Sequence, residues 1–191
     1  MAQAQRRRML AAVVQAVAER GYAATTVAHV IALAGVSRRT FYEQFTDLDD
    51  CFVAAYASGL AGLQQAVHEA TAGAVGRPLA ERVRAPLSAY FATLRAVPGA
   101  ARAFSAAAVG ASERVAALRA QALRQWVALW RATADDCRAQ THGPVTDTEL
   151  LAMVGGVEEL VRDAVQHGAD PADPALLEAA IGFVRVVLRA R

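Results

Sequence analysis

The sequence predicts an all-α protein of about nine helices, and three observations carry that expectation. Apolar residues make up 55% of the chain, and much of the excess is alanine, the strongest helix former. Aromatic content is only 6%, and β-branched residues cluster in few places. Apolar positions recur at helical spacing through most of the 191 residues, with sparse glycine and proline breaks. The chain is long enough for a substantial core. The pattern divides into a short three-helix unit over residues 1–46 and a larger helical unit over 47–191, with no internal repeat and no strand.

The first helix runs from about Arg6 to Arg20, with Leu10, Val13, Val14 and Val17 as its apolar stripe and Gly21 as its stop. Thr25 or Thr26 caps a helix from Val27 to Ala34, whose inner face is Val27, Val30, Ile31 and Ala34. Gly35 supplies the left-handed residue of a sharp turn, Val36 plugs it, and Ser37 caps a third helix from Arg38 to Phe45. Thr46 or Asp47 caps a long fourth helix, with Asp47, Asp49 and Asp50 where the helix dipole favours negative charge. Its buried stripe is Phe52, Ala55, Tyr56, Leu60, Leu63 and Val67, and AGAVGRP ends it. A fifth helix follows Pro78, with a kink expected at Pro86; Pro98 and Gly99 separate it from a short sixth. The seventh spans Ser112 to about Gln140, THGPVTD is a loop, and the last two run roughly Asp147–His167 and Pro174–Arg189.

Composition excludes several function classes. No apolar run approaches transmembrane length, and the MAQAQRRRMLAAVV start is soon interrupted by Gln15, Glu19 and Arg20, so a cytoplasmic protein without membrane contact is expected. Cys51 and Cys137 lack metal-ligand spacing and read as buried thiols in a reducing compartment. His29, His68, His142 and His167 are scattered, and neither paired carboxylates nor a phosphate-binding glycine loop is present. No enzyme activity, metal or cofactor is therefore expected, and His29 reads as a surface or packing residue. The net charge of +2 is uninformative, but residues 1–44 carry six arginines against two glutamates, a footprint suited to phosphate. The chain has no lysine, which fits a coding bias toward arginine and alanine.

The third helix carries the functional signal. With Phe41 at zero on a helical wheel, Phe45 falls about 40° away, so both face inward. Arg39 and Glu43 lie at the opposite pole, flanked by Thr40 and Tyr42, with Arg38 in the first turn, where phosphate is favoured. Arg39, Thr40 and Glu43 have chemistry for base edges, whereas Tyr42, Gln44 and Arg38 are better placed for phosphate. A plain helical hairpin with a solvated face fits the same wheel.

The motifs AVAERGYAATTV, IALAGVSRRTFYEQF and DLDDCFVAAY together resemble the N-terminal domain of TetR/AcrR-family transcriptional regulators over Leu10 to Tyr56. That resemblance implies a helix-turn-helix domain over 1–46 followed by a helical effector-binding and dimerisation domain over 47–191. It places Thr26 near a phosphate, and Ser37, Arg38, Arg39, Thr40, Tyr42, Glu43 and Gln44 on the DNA face. Arg6, Arg7 and Arg8 match no fixed motif but are suited to extra phosphate or minor-groove contacts. One departure stands out: many members have a phosphate-touching lysine just inside helix four, and this chain has Leu48. The resemblance also implies a homodimer through the last two helices. Those helices are apolar on more than one face, and Gly155, Gly156 and Gly182 permit close approach. A small apolar effector is expected among Tyr90, Phe91, Leu94, Phe104, Trp126 and Trp130, with Gln64 and His68 as polar groups. The expected function is a repressor released from a palindromic operator. Two alternatives stay open: a helical small-molecule-binding protein, and a DNA-binding protein with no effector.

Overall fold

The computed structural model describes residues 2–107, 112–137 and 144–188, and among them every regular element is α-helical. The order is α1 (Ala2–Arg20), α2 (Val27–Ala34), α3 (Arg38–Tyr42), α4 (Leu48–Gly73), α5 (Leu79–Ala96), α6 (Pro98–Ala107), α7 (Glu113–Asp136), α8 (Asp147–Gln166) and α9 (Pro174–Val187). The expected reach of the seventh helix to Gln140, that of the ninth to Arg189 and the first three residues of the THGPVTD loop lie outside the described residues.

Local chemistry explains the boundaries. Thr26 caps α2: its hydroxyl accepts from the His29 N–H, and His29 Nδ1 accepts from the Thr26 N–H at 3.2 Å. His29 thus completes a capping box, a task usually given to glutamate or glutamine. Gly35 closes α2 in the left-handed region, φ 60° and ψ 45°, where a side chain is strained. Although α3 ends at Tyr42, the Phe45 N–H still donates to the Phe41 carbonyl at 2.9 Å, so helical bonding continues to Phe45. Asp47 caps α4 by accepting from the Asp50 N–H at 2.7 Å, and Asp50 returns the bond to the Thr46 N–H at 3.2 Å. The acidic cluster is therefore capping chemistry. Pro86 does not interrupt α5, although it leaves the Arg82 carbonyl without its helical donor.

The chain packs as two compact units, residues Met1–Ala61 with Val97–Leu118, and Gly62–Ala96 with Arg119–Arg191. The sequence boundary after residue 46 falls inside the first unit, because α4 supplies Cys51, Phe52 and Ala55 to a core shared with α1, α2 and α3. Met9, Val13, Val17, Val30, Phe41 and Phe45 belong to that core, as do Ala103 of α6 and Val115 of α7. On α1 the most buried line is Met9, Ala12, Val13, Ala16 and Val17, one position round from the expected stripe, and Leu10 and Val14 are half-buried. The second unit buries Val83, Leu150, Met153, Val184 and Leu188 completely. No helix of the described residues is long and apolar enough to cross a membrane.

Candidate functional site

The α2–Gly35–α3 segment presents one face outward. Phe41 is fully buried, with the Phe45 ring 5.7 Å away and the Tyr42 ring edge-on at 5.4 Å. Burying these two phenylalanines leaves Arg38, Arg39, Tyr42 and Glu43 exposed, with Thr40 and Gln44 half-buried beside them. Ser37 caps α3 by accepting from the Thr40 N–H at 3.0 Å, and the two hydroxyls share a bond of 2.9 Å. Arg39 Nε donates to Glu43 Oε1 at 2.9 Å, with side-chain exposures of 89% and 54%. An ion pair this exposed is held weakly, so either group exchanges its partner for a base or a phosphate at little cost.

The basic N-terminal segment divides into two kinds of arginine. Arg7 and Arg8 are exposed. The Arg6 guanidinium lies 4.5 Å over the Phe45 ring and donates to the Gln44 carbonyl at 3.4 Å. Arg6, expected with its neighbours as a DNA contact, is thus held against the residues that follow α3. In a duplex from the chain's own upstream DNA, Arg7→Ala is expected to lower the slope of log affinity against log salt by about 0.9, the signature of one lost phosphate contact. Arg6→Ala should leave that slope unchanged and lower the melting temperature instead. Equal slope changes in both variants would show Arg6 to be a phosphate contact.

A second network braces the start of α4. Tyr22 donates to Asp49 at 2.7 Å, and Arg114 reaches Asp49 at 3.4 Å and Asp50 at 3.1 Å. The Thr46 N–H and then Arg114 hold the Asp50 carboxyl below its usual range. Burial and the bond to Asp49 raise the Tyr22 phenol. Behind them, burial pushes the Cys51 thiol up to about 12, so it stays protonated and unreactive near neutral pH.

Residues 9–55 match the family model described as bacterial regulatory proteins, tetR family. That stretch of the N-terminal unit is similar to the family's domain. No curated protein sequence matches the chain. The TetR-like fold extends well beyond that domain. A fatty acid degradation regulator, FadR, from Bacillus halodurans superposes with a TM-score of 0.83 at 17% identity, covering 98% of this chain and 97% of that one. A TetR-family transcriptional regulator from Syntrophomonas wolfei gives 0.77 at 15% identity, with 98% and 96% covered. FadR from Bacillus subtilis, solved in complex with stearoyl-CoA, gives 0.79 at 16%, with 93% and 96% covered.

The TetR-like second unit holds a small, mostly apolar cavity of about 40 Å³. Three expected pocket residues meet there: Tyr90 and Trp126, both half-buried, and buried Trp130. Phe91 and Leu94 are buried on α5 but do not line it. His68 is exposed, and Gln64 is engaged by Gln125. Phe104 is a correction, because it belongs to the other unit. Its ring packs 5.0 Å from Tyr56 and 6.1 Å from Phe52, and α6 lies against α1. Sequence reading missed Glu158, which lines the cavity and pairs with Arg119 at 2.6 Å. The available signal was its place one residue after Val157, beside the stripe of Met153, Val154, Val157 and Val161.

Proposed function

We propose that this protein is a homodimeric transcriptional repressor that binds a palindromic operator and is released by a small, largely apolar effector. The observation that carries the reading is the exposed face of Arg38, Arg39, Tyr42 and Glu43 on a helix anchored from behind by Phe41 and Phe45, within a TetR-family domain. Each recognition helix enters a major groove, the two separated by one helical turn of DNA, roughly 34–36 Å. A second copy is supported by α8 and α9, which expose Leu151, Phe183 and Val186. A Cβ built at Gly155 or Gly182 meets nothing within 4 Å, so both backbones are open to a partner helix.

The Trp126–Trp130 cavity is the effector site in this reading, and the neighbour bound to stearoyl-CoA supports an apolar effector for this fold. The ligand acts through α4, which supplies residues to both units. Release requires the ligand to prefer the conformation that does not bind DNA, since equal affinity for both states shifts nothing. A second reading, DNA binding without an effector, is favoured by the cavity's small volume, room for only a few waters.

Fluorescence polarisation on the chain's own upstream DNA tests the DNA reading. Tight, salt-sensitive binding is expected, whereas equally weak binding to specific and random duplexes overturns it. Arg39→Ala is expected to relax base preference at a cost of about 1–3 kcal/mol, while Tyr42→Phe weakens binding across all sequences. The reverse pattern would exchange the base and phosphate roles.

A further inference from the structure

We infer that the cavity of the second unit is built for a lipophilic cation, a tertiary amine or quaternary ammonium compound, with Glu158 as its counter-charge. The inference rests on reading that cavity as the effector site. Three aromatic side chains wall it: Tyr90 from α5, and Trp126 and Trp130 from α7. Glu158 is the one charged side chain among the described residues of that wall. Aromatic faces carry negative potential and attract cations, most strongly where water is displaced.

The carboxylate has capacity to spare. Arg119 donates to Oε2 at 2.6 Å, and no described residue engages Oε1. Of the pair, Glu158 borders the cavity and Arg119 does not, so the acidic member stands nearer a ligand inside. Burial raises the proton affinity of Glu158, with Arg119 opposing it, and the side chain is only 25% exposed, so the ionised carboxylate is partly desolvated. A cation entering the cavity supplies what water no longer does. A fatty carboxylate or an acyl-CoA headgroup would instead set like charge against like. Entry displaces the half-exposed Trp126 and Tyr90, because the present space holds only a few waters.

The measurement uses a convenient property of the chain: its two tryptophans are Trp126 and Trp130, so all indole emission arises at this cavity. The full chain is titrated below the micellar limit with an alkylbenzyldimethylammonium salt, the alcohol and the carboxylate of equal chain length, and stearoyl-CoA. The ammonium salt is expected to change the emission saturably and to bind about tenfold or more tighter than the alcohol or either anion. Glu158→Gln should weaken the cation by about ten- to a hundred-fold and leave the alcohol unchanged. Arg119→Gln, which removes the competing cation and keeps Glu158, should tighten it, so the inference stays testable if the first variant folds poorly. If the alcohol or an anion binds as tightly as the cation, or both variants leave cation affinity unchanged, the charge assignment is wrong while the cavity reading stands. If no compound of any class changes the emission saturably, the cavity reading fails and takes this inference with it.

Discussion

Replacing Phe41 by alanine is expected to lower the thermal midpoint by roughly 10 °C and to abolish specific DNA binding. The side chain has no exposed surface, and its ring touches both Phe45 and Tyr42. Truncating a buried phenylalanine costs about 3–5 kcal/mol through lost burial and the cavity left behind. That is a large share of a typical domain stability of about 5–15 kcal/mol. Because α3 has only five residues, it has little intrinsic stability, and its orientation depends on this anchor. Circular dichroism melts and polarisation titrations check the result. A variant that melts within a degree or two of the parent, with operator affinity unchanged, would show that Phe41 is not what holds the reading face.

Two glycines of α4 are expected to respond in opposite directions to the same substitution. A Cβ on Gly59 would lie 2.5 Å from Phe104 Cε2, closer than carbon atoms approach. The Phe104 ring packs on Tyr56 at 5.0 Å and on Phe52 at 6.1 Å, so its withdrawal disturbs both contacts. Overpacking of this kind costs about 1–3 kcal/mol, which exceeds the gain of about 1 kcal/mol from replacing a helical glycine by alanine. Gly62→Ala meets nothing within 4 Å and should deliver that gain in full. Urea melts of the two variants are expected to move to opposite sides of the parent. If Gly59→Ala is stabilised as much as Gly62→Ala, the ring yields freely and the contact does not constrain α4.

The N-terminal unit was legible because its signals are local. Thr26, Gly35, Ser37 and Asp47 each act within four residues of themselves, on caps and turns whose geometry the chain dictates alone. The inward placement of Phe41 and Phe45 likewise follows from helical periodicity. The capping role of His29, which reads from sequence as a surface or packing residue, was not legible because histidine seldom fills the N3 place of a capping box, although its position three residues after Thr26 could have suggested it. Arg6 is a different case. Its approach to Phe45 and to the Gln44 carbonyl joins residues about forty positions apart, and nothing in RRR tells the first arginine from the other two.

The second unit shows the same limit more sharply. Tyr90, Trp126 and Trp130 meet around the cavity, but Phe104, the aromatic residue of α6, joins the other unit because α6 packs on α1. By itself the sequence determined the helical elements, their caps and the polar face of α3, since each depends on residues within a turn or two. Only the tertiary structure decided which aromatics share a core, which arginine is held inside, which glycine touches a ring and that Glu158 lines an apolar cavity. Those outcomes depend on the distance at which separate helices meet, and helical periodicity records which way a residue faces, not what it meets there.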